Sequence, residues 1–165
     1  MGKKERDPYV SEMITEAALH LLQKGKWNTA SITELCDEAE VSRVSFYRNF
    51  SSKEDIIRQY LSGITDIFLG ETSVNFRTTP KKDFIVYLIK HMKKHREIIS
   101  LLIENGLSYL VKEGFDEAFS RSADIYHDPY RCYVASGAYF NLIYYWFLNG
   151  CKETAQQLAE MDLSI

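Results

Sequence analysis

The chain has 165 residues, 45% of them apolar and 13% aromatic, which is enough to bury a substantial core in one or two small domains. Three prolines, eight glycines and little strand-like alternation favour an all-helical protein; no apolar run is long enough to span a membrane, and residues 1–6 lack a signal peptide's apolar stretch. The net charge of −3 does not suggest nucleic acid, and Cys36, Cys132 and Cys151, widely spaced and without a CxxC pair, predict reduced thiols in a soluble cytoplasmic protein.

The first helix is predicted from about Pro8 to Lys24, with Asp7 as N-cap, Pro8 at the first helical position and Gly25 as stop. Ile14, Ala17, Ala18, Leu21 and Leu22 make its apolar face. Ser31 with Glu34 is a capping box opening a second short helix, whose buried side is Ile32, Leu35, Cys36 and Ala39. Ser42 caps a third helix. Phe46 and Phe50 point inward at i and i+4, leaving Arg43, Val44, Ser45, Tyr47 and Arg48 nearer the surface. Two short helices joined by a tight turn, the second opening with Ser and Arg, make a helix-turn-helix pattern.

Ser51 to Glu54 reads as another capping box, opening a fourth helix to about Leu69. Residues 70–80 are loop-like. Further helices are predicted over about Lys81–Lys94, Arg96–Asn105, Leu107–Phe119 and Tyr130–Asn149. Thr154 with Gln157 then caps a short last helix through Met161. The domains are placed at 1–52, a helix-turn-helix head, and 53–165, a larger helical body.

The series Ile14…Ala17-Ala18…Leu22…Gly25…Thr29…Ser31-Ile32…Leu35…Ala39…Val41-Ser42-Arg43…Ser45-Phe46-Tyr47…Phe50…Ser52-Lys53-Glu54 resembles the TetR family of bacterial transcriptional regulators. The resemblance implies a three-helix DNA-binding head and a larger helical body that dimerises and often binds a small effector. Residues 138–150 with Lys152 and Glu153 also resemble the last two helices of the subgroup that includes the activator of dihydroxyacetone-kinase operons. Two positions depart from the family pattern. Glu40 stands where the turn usually has Gly, at a cost of about 1 kcal/mol if the backbone needs φ > 0. Val44 replaces the usual Gly or Ala, and either meets a thymine methyl or crowds a close phosphate.

Carried over residue by residue, the resemblance implies that Arg43, Val44, Ser45 and Arg48 face base edges. Thr33, Ser42, Tyr47, Asn49 and Lys53 then hold phosphates. Residues 1–60 carry nine Lys or Arg against ten Asp or Glu. The position of the charges therefore matters more than their sum, and Lys3, Lys4, Arg6, Arg43, Arg48 and Lys53 fall on the arm, the reading helix and the next helix start.

In the body, tyrosines that need hydroxyl partners suggest an effector pocket of Phe84, Tyr87, Leu88, His91, Asn141 and Tyr145 for a partly aromatic or polar organic molecule. Residues 130–149 are apolar nearly all round, which predicts contact with the same helix of a second subunit. Ser136, Phe140, Ile143 and Phe147, with Leu158, form one candidate dimer stripe; Gly137, Asn141, Tyr144 and Leu148 form the other. His91 and His95 have a metal-compatible i, i+4 spacing, but the surrounding lysines favour a solvated basic helix end, so no metal or cofactor is expected. There is no Gly-rich phosphate loop, GxSxG or HExxH, so the protein is not read as an enzyme. The reading is a homodimeric regulator of a double-stranded DNA operator, a repressor released by a small molecule, with no membrane partner. The alternative is a protein-interaction adaptor that senses another protein.

Overall fold

The computed structural model describes residues 7–70, 74–122 and 129–161. The arm residues Lys3, Lys4 and Arg6 lie outside the described residues. Among those described the chain is all-helical: α1 (Pro8–Gln23), α2 (Ile32–Glu38), α3 (Arg43–Asn49), α4 (Lys53–Gly70), α5 (Lys81–Lys94), α6 (Arg96–Glu104), α7 (Ser108–Ser122), α8 (Pro129–Leu148) and α9 (Ala155–Glu160).

The helix ends follow from local chemistry. The Asp7 carboxylate accepts from the amides of Tyr9 and Val10, satisfying donors that α1 leaves open, and Pro8 follows it. Both halves of the Ser31/Glu34 and Thr154/Gln157 boxes form. The box opening α4 sits one residue later than predicted. Ser52 Oγ accepts from the Asp55 amide, and the Asp55 carboxylate reaches back to the Ser51 amide at 2.8 Å. Asp at this position does the work expected of Glu54, because the helix begins at Lys53.

At the end of α2 the Glu40 amide donates to the Asp37 carbonyl and the Val41 amide to the Cys36 carbonyl. This double closure requires a left-handed residue, and Glu40 adopts φ 53°. α1 closes in the same way on Gly25, at φ 64° and without a Cβ penalty.

One apolar core runs through the molecule. Ile14, Leu22, Leu35, Phe46 and Phe50 fill the head, and α4 continues the core with Ile56, Ile57, Leu61, Ile64 and Phe68. In the body α7 packs along α8, α5 along α9, and α4 along α7. Arg58 pairs with Glu113 and Arg121 with Asp66, both at 2.7 Å, tying α4 to α7 on its exposed flank. Asn105 joins head to body: its side-chain amide donates to the Leu22 carbonyl at the end of α1, and its own carbonyl accepts from the Asn28 side chain at 3.2 Å. No helix among the described residues is long and apolar enough to cross a membrane.

Replacing Glu40 with Gly removes a Cβ from a left-handed position. Glu40→Gly is expected to stabilise the protein by about 1 kcal/mol, read as a higher midpoint in urea unfolding. A lower midpoint would show that the Glu40 side chain contributes more than its backbone costs.

Candidate nucleic-acid interface

α3 is seven residues long and is held from both ends. Ser42 Oγ accepts from the Ser45 amide at 3.1 Å, and Phe50 closes the other end by donating its amide to the Phe46 carbonyl. Phe46 and Phe50 are buried, and the Tyr47 ring stands edge-on to Phe46 with centroids 5.2 Å apart. These anchors fix the rotation of the helix. At about 100° per residue, Arg43, Tyr47, Val44 and Arg48 then follow one another across an outward arc. All four are exposed, as are Ser42 on the entering turn and Thr33 on α2. Ser45 is half-buried and its hydroxyl is engaged with that of Ser42 at 3.0 Å.

Two expected phosphate contacts are corrected. Asn49 is 4% exposed. Its amide nitrogen donates to the Ser45 carbonyl at 2.9 Å, and its oxygen accepts from the Asp7 amide at 3.2 Å. The side chain therefore joins the start of α1 to the end of α3 and does not face outward. Its position, three residues after Phe46 and one before Phe50, already places it on the inward arc. Lys53 is also turned inward: its ammonium donates to the carbonyls of Trp27 and Ala30, both at 2.6 Å, and lies 5.0 Å from the centroid of the Trp27 ring. It pins the α1–α2 connection to the start of α4, a long-range contact that no local pattern in the sequence announces.

Two carboxylates on α2 are engaged locally. Glu34 is held below the usual carboxylate range by hydrogen bonds from the Ser31 amide and hydroxyl. Glu38 is lowered by hydrogen bonds from His20 and then Lys24. These groups lie on α2 and its contact with α1. Among the described residues, α3 itself carries two arginines and no acid.

The body corrects the remaining expectations. Phe84, Leu88 and His91 are buried and Tyr87 half-buried, but Asn141 and Tyr145 are exposed, Tyr145 by 71%. The six residues therefore do not form one pocket. A narrow cavity of about 40 Å³ lies instead among α4, α5, α6 and α7, lined by Leu61, Thr65, Phe68, His91, Met92 and Phe115 among others. Ser136, Ile143, Phe147 and Leu158 are buried within the chain's own fold and Phe140 is half-buried. They cannot be the exposed stripe. Ser136 explains its own burial by donating to the Asp116 carboxylate, which also accepts from Lys112 at 2.6 Å. His91 is buried against Phe68, so it does not belong to a solvated helix end, and no group of three or more metal-ligating side chains occurs among the described residues.

Lys53→Ala is expected to lower stability by about 1–3 kcal/mol, because it strips two carbonyls of their donor. Urea unfolding measures this. An unchanged midpoint together with weaker DNA binding would return Lys53 to the phosphate-binding role.

Residues 14–60 match the family model of bacterial regulatory proteins, tetR family. An uncharacterized HTH-type transcriptional regulator, YuxN of Bacillus subtilis (strain 168), is 26% identical over 100 residues, covering 58% of this chain and 34% of that protein. The chain thus aligns with about a third of the length of this curated relative. No solved structure matches the chain. With α2, the four-residue turn and α3 falling inside the matched segment, the head is similar to the helix-turn-helix domain of bacterial regulatory proteins of the tetR family, and it is joined to a larger helical region.

Proposed function

We propose that this protein is a TetR-type transcriptional regulator that binds a double-stranded DNA operator as a homodimer in the cytoplasm. The observation that carries the reading is the outward arc of α3. Arg43, Val44, Tyr47 and Arg48 project from a helix whose other face is locked by Phe46, Asn49 and Phe50. A short helix with this geometry fits a major groove. Arginine can grip guanine through two hydrogen bonds, and the exposed hydroxyls of Ser42, Thr33 and Tyr47 suit phosphates. The relative's printed name, a helix-turn-helix transcriptional regulator, supports the same reading over an adaptor.

The dimer surface that fits best is the exposed stripe of α8. Tyr133, Val134, Asn141, Tyr145 and Leu148, with the half-buried Gly137 between them, recur at three- and four-residue spacing and carry no charge. A second copy of the same helix covers such a stripe symmetrically. This replaces the stripe of Ser136, Phe140, Ile143 and Phe147. The resemblance of residues 138–153 to the dihydroxyacetone-kinase activator subgroup is compatible with a body of this kind.

Two heads must then lie about 34–36 Å apart to enter successive major grooves. A molecule favouring one head separation shifts occupancy by its differential affinity. The cavity of about 40 Å³ beside α4, walled by Leu61, Thr65, Phe68 and His91, is far below the ~300 Å³ of a ligand pocket, so a molecule acting there would have to part α4 from its neighbours. Its walls are almost wholly apolar, which favours an apolar effector over the hydroxyl-rich one expected from the tyrosines. We propose repression relieved by that effector.

Selection from a random duplex library is expected to enrich a two-fold symmetric site, and a library without enrichment would sink the reading. On the enriched site Arg43→Ala should cost about 1–3 kcal/mol against the preferred base pair and relax the preference there.

Val134→Asp is expected to give folded monomers in sedimentation, since it places a charge in the paired stripe. Phe147→Asp should instead disrupt the fold, as that ring is buried within the chain. A folded Val134→Asp dimer would remove α8 from the interface.

A further inference from the structure

We propose that Val44 reads the C5-methyl group of a thymine in each operator half-site, and is thereby a specificity-determining residue of the head. The inference rests on the DNA-reading role proposed above and adds the chemistry of one recognised base. Four side chains occupy the outward arc of α3, and three of them have polar ends. Arg43 and Arg48 can donate to guanine edges or phosphates, and Tyr47 has a hydroxyl at the tip of a ring already braced on Phe46. Val44 has no polar atom, yet it is 63% exposed. Among the described residues of the head, no core contact accounts for a branched apolar side chain there.

The arc also places it. By helical spacing Val44 lies between Tyr47 and Arg48, with Arg43 on the far side of Tyr47. It is therefore near the middle of the face, the part that goes deepest into a groove about 12 Å wide and about 8.5 Å deep. Phosphates border that groove, whereas its floor is made of base edges. Those edges offer one apolar group large enough to pack on, the thymine methyl; cytosine has only a hydrogen there, and the other edge atoms are mostly donors and acceptors. Valine against a guanine or cytosine edge strips water from polar atoms and returns no hydrogen bond. Against thymine it buries a methyl on a methyl. Attraction and rejection favour the same base, and this selects the methyl contact over a crowded phosphate.

The test uses the full chain and the duplex enriched from the random library. Each thymine of one half-site is replaced in turn by deoxyuridine, which removes the methyl and keeps every hydrogen-bonding atom. One position is expected to weaken wild-type binding about four-fold, the value of one buried methyl, and about fifteen-fold when changed in both half-sites. Val44→Ala, on an exposed position and so expected to melt like the wild type, should show a clearly smaller preference for thymine over deoxyuridine, since only its Cβ remains to meet the methyl. The assignment is overturned if no deoxyuridine weakens the wild type, or if Val44→Ala keeps the same thymine preference. In either case an enriched operator leaves the DNA-reading head intact. A library that enriches nothing overturns both.

Discussion

Helix α4 buries Ile56 and Ile57 beside the head and Ile64 and Phe68 inside the body, so one 18-residue rod carries a single apolar core across both. The arrangement constrains everything attached to it. The head cannot rotate about α4 without exposing Ile56 and Ile57, and the body cannot slide along it without opening the contact with α7. Ion pairs from Arg58 and Arg121 lie along the exposed side of that contact and are worth little individually. Burial sets the angle, and the charges select among nearby registers. Asn105 adds a directional constraint by occupying a carbonyl at the end of α1 that the helix itself leaves open.

Within the head the same logic gives α3 a defined front. Two phenylalanines and one asparagine hold its inward side, and Lys53 with Trp27 braces the loop beneath. A helix of seven residues has little intrinsic stability, since short helices are marginal in water. Its shape is imposed by these neighbours. That helps a segment of net acidic charge present a basic face: Glu34 is held in its cap and Glu38 by His20 and Lys24, while both arginines of α3 point out.

The sequence was most legible where chemistry is local. Caps, glycine stops and the inward phenylalanines depend on residues within five positions of one another, and they placed most helix ends within a residue. The box at α4 slipped by one because Ser51 and Ser52 offer the same hydroxyl and Glu54 and Asp55 the same carboxylate. The α8 stripe was illegible for a different reason. A helix with aromatic residues around most of its circumference gives periodicity no contrast, so the buried side could not be told from the exposed one. Contacts of Ser136 with Asp116 on α7, and of Tyr139 with Phe119 on α7 and Phe84 on α5, settle the phase. Asn141 and Tyr145 followed that phase outward, away from the expected pocket. The inward turn of Lys53 depends on carbonyls 23 and 26 residues away, a distance that no local pattern encodes.

The two tryptophans are distributed in a way that has practical value. Trp27 is buried in the head beneath an ammonium group, and Trp146 is buried in the body with its indole nitrogen donating to the Glu153 carbonyl. Each unit thus carries its own intrinsic fluorophore in a different electrostatic setting. Emission from the head is coloured by a neighbouring cation, and emission from the body by a neutral hydrogen bond. Replacing either tryptophan with Phe would leave the other as an optical signal for the head alone or for the body alone, with no label attached.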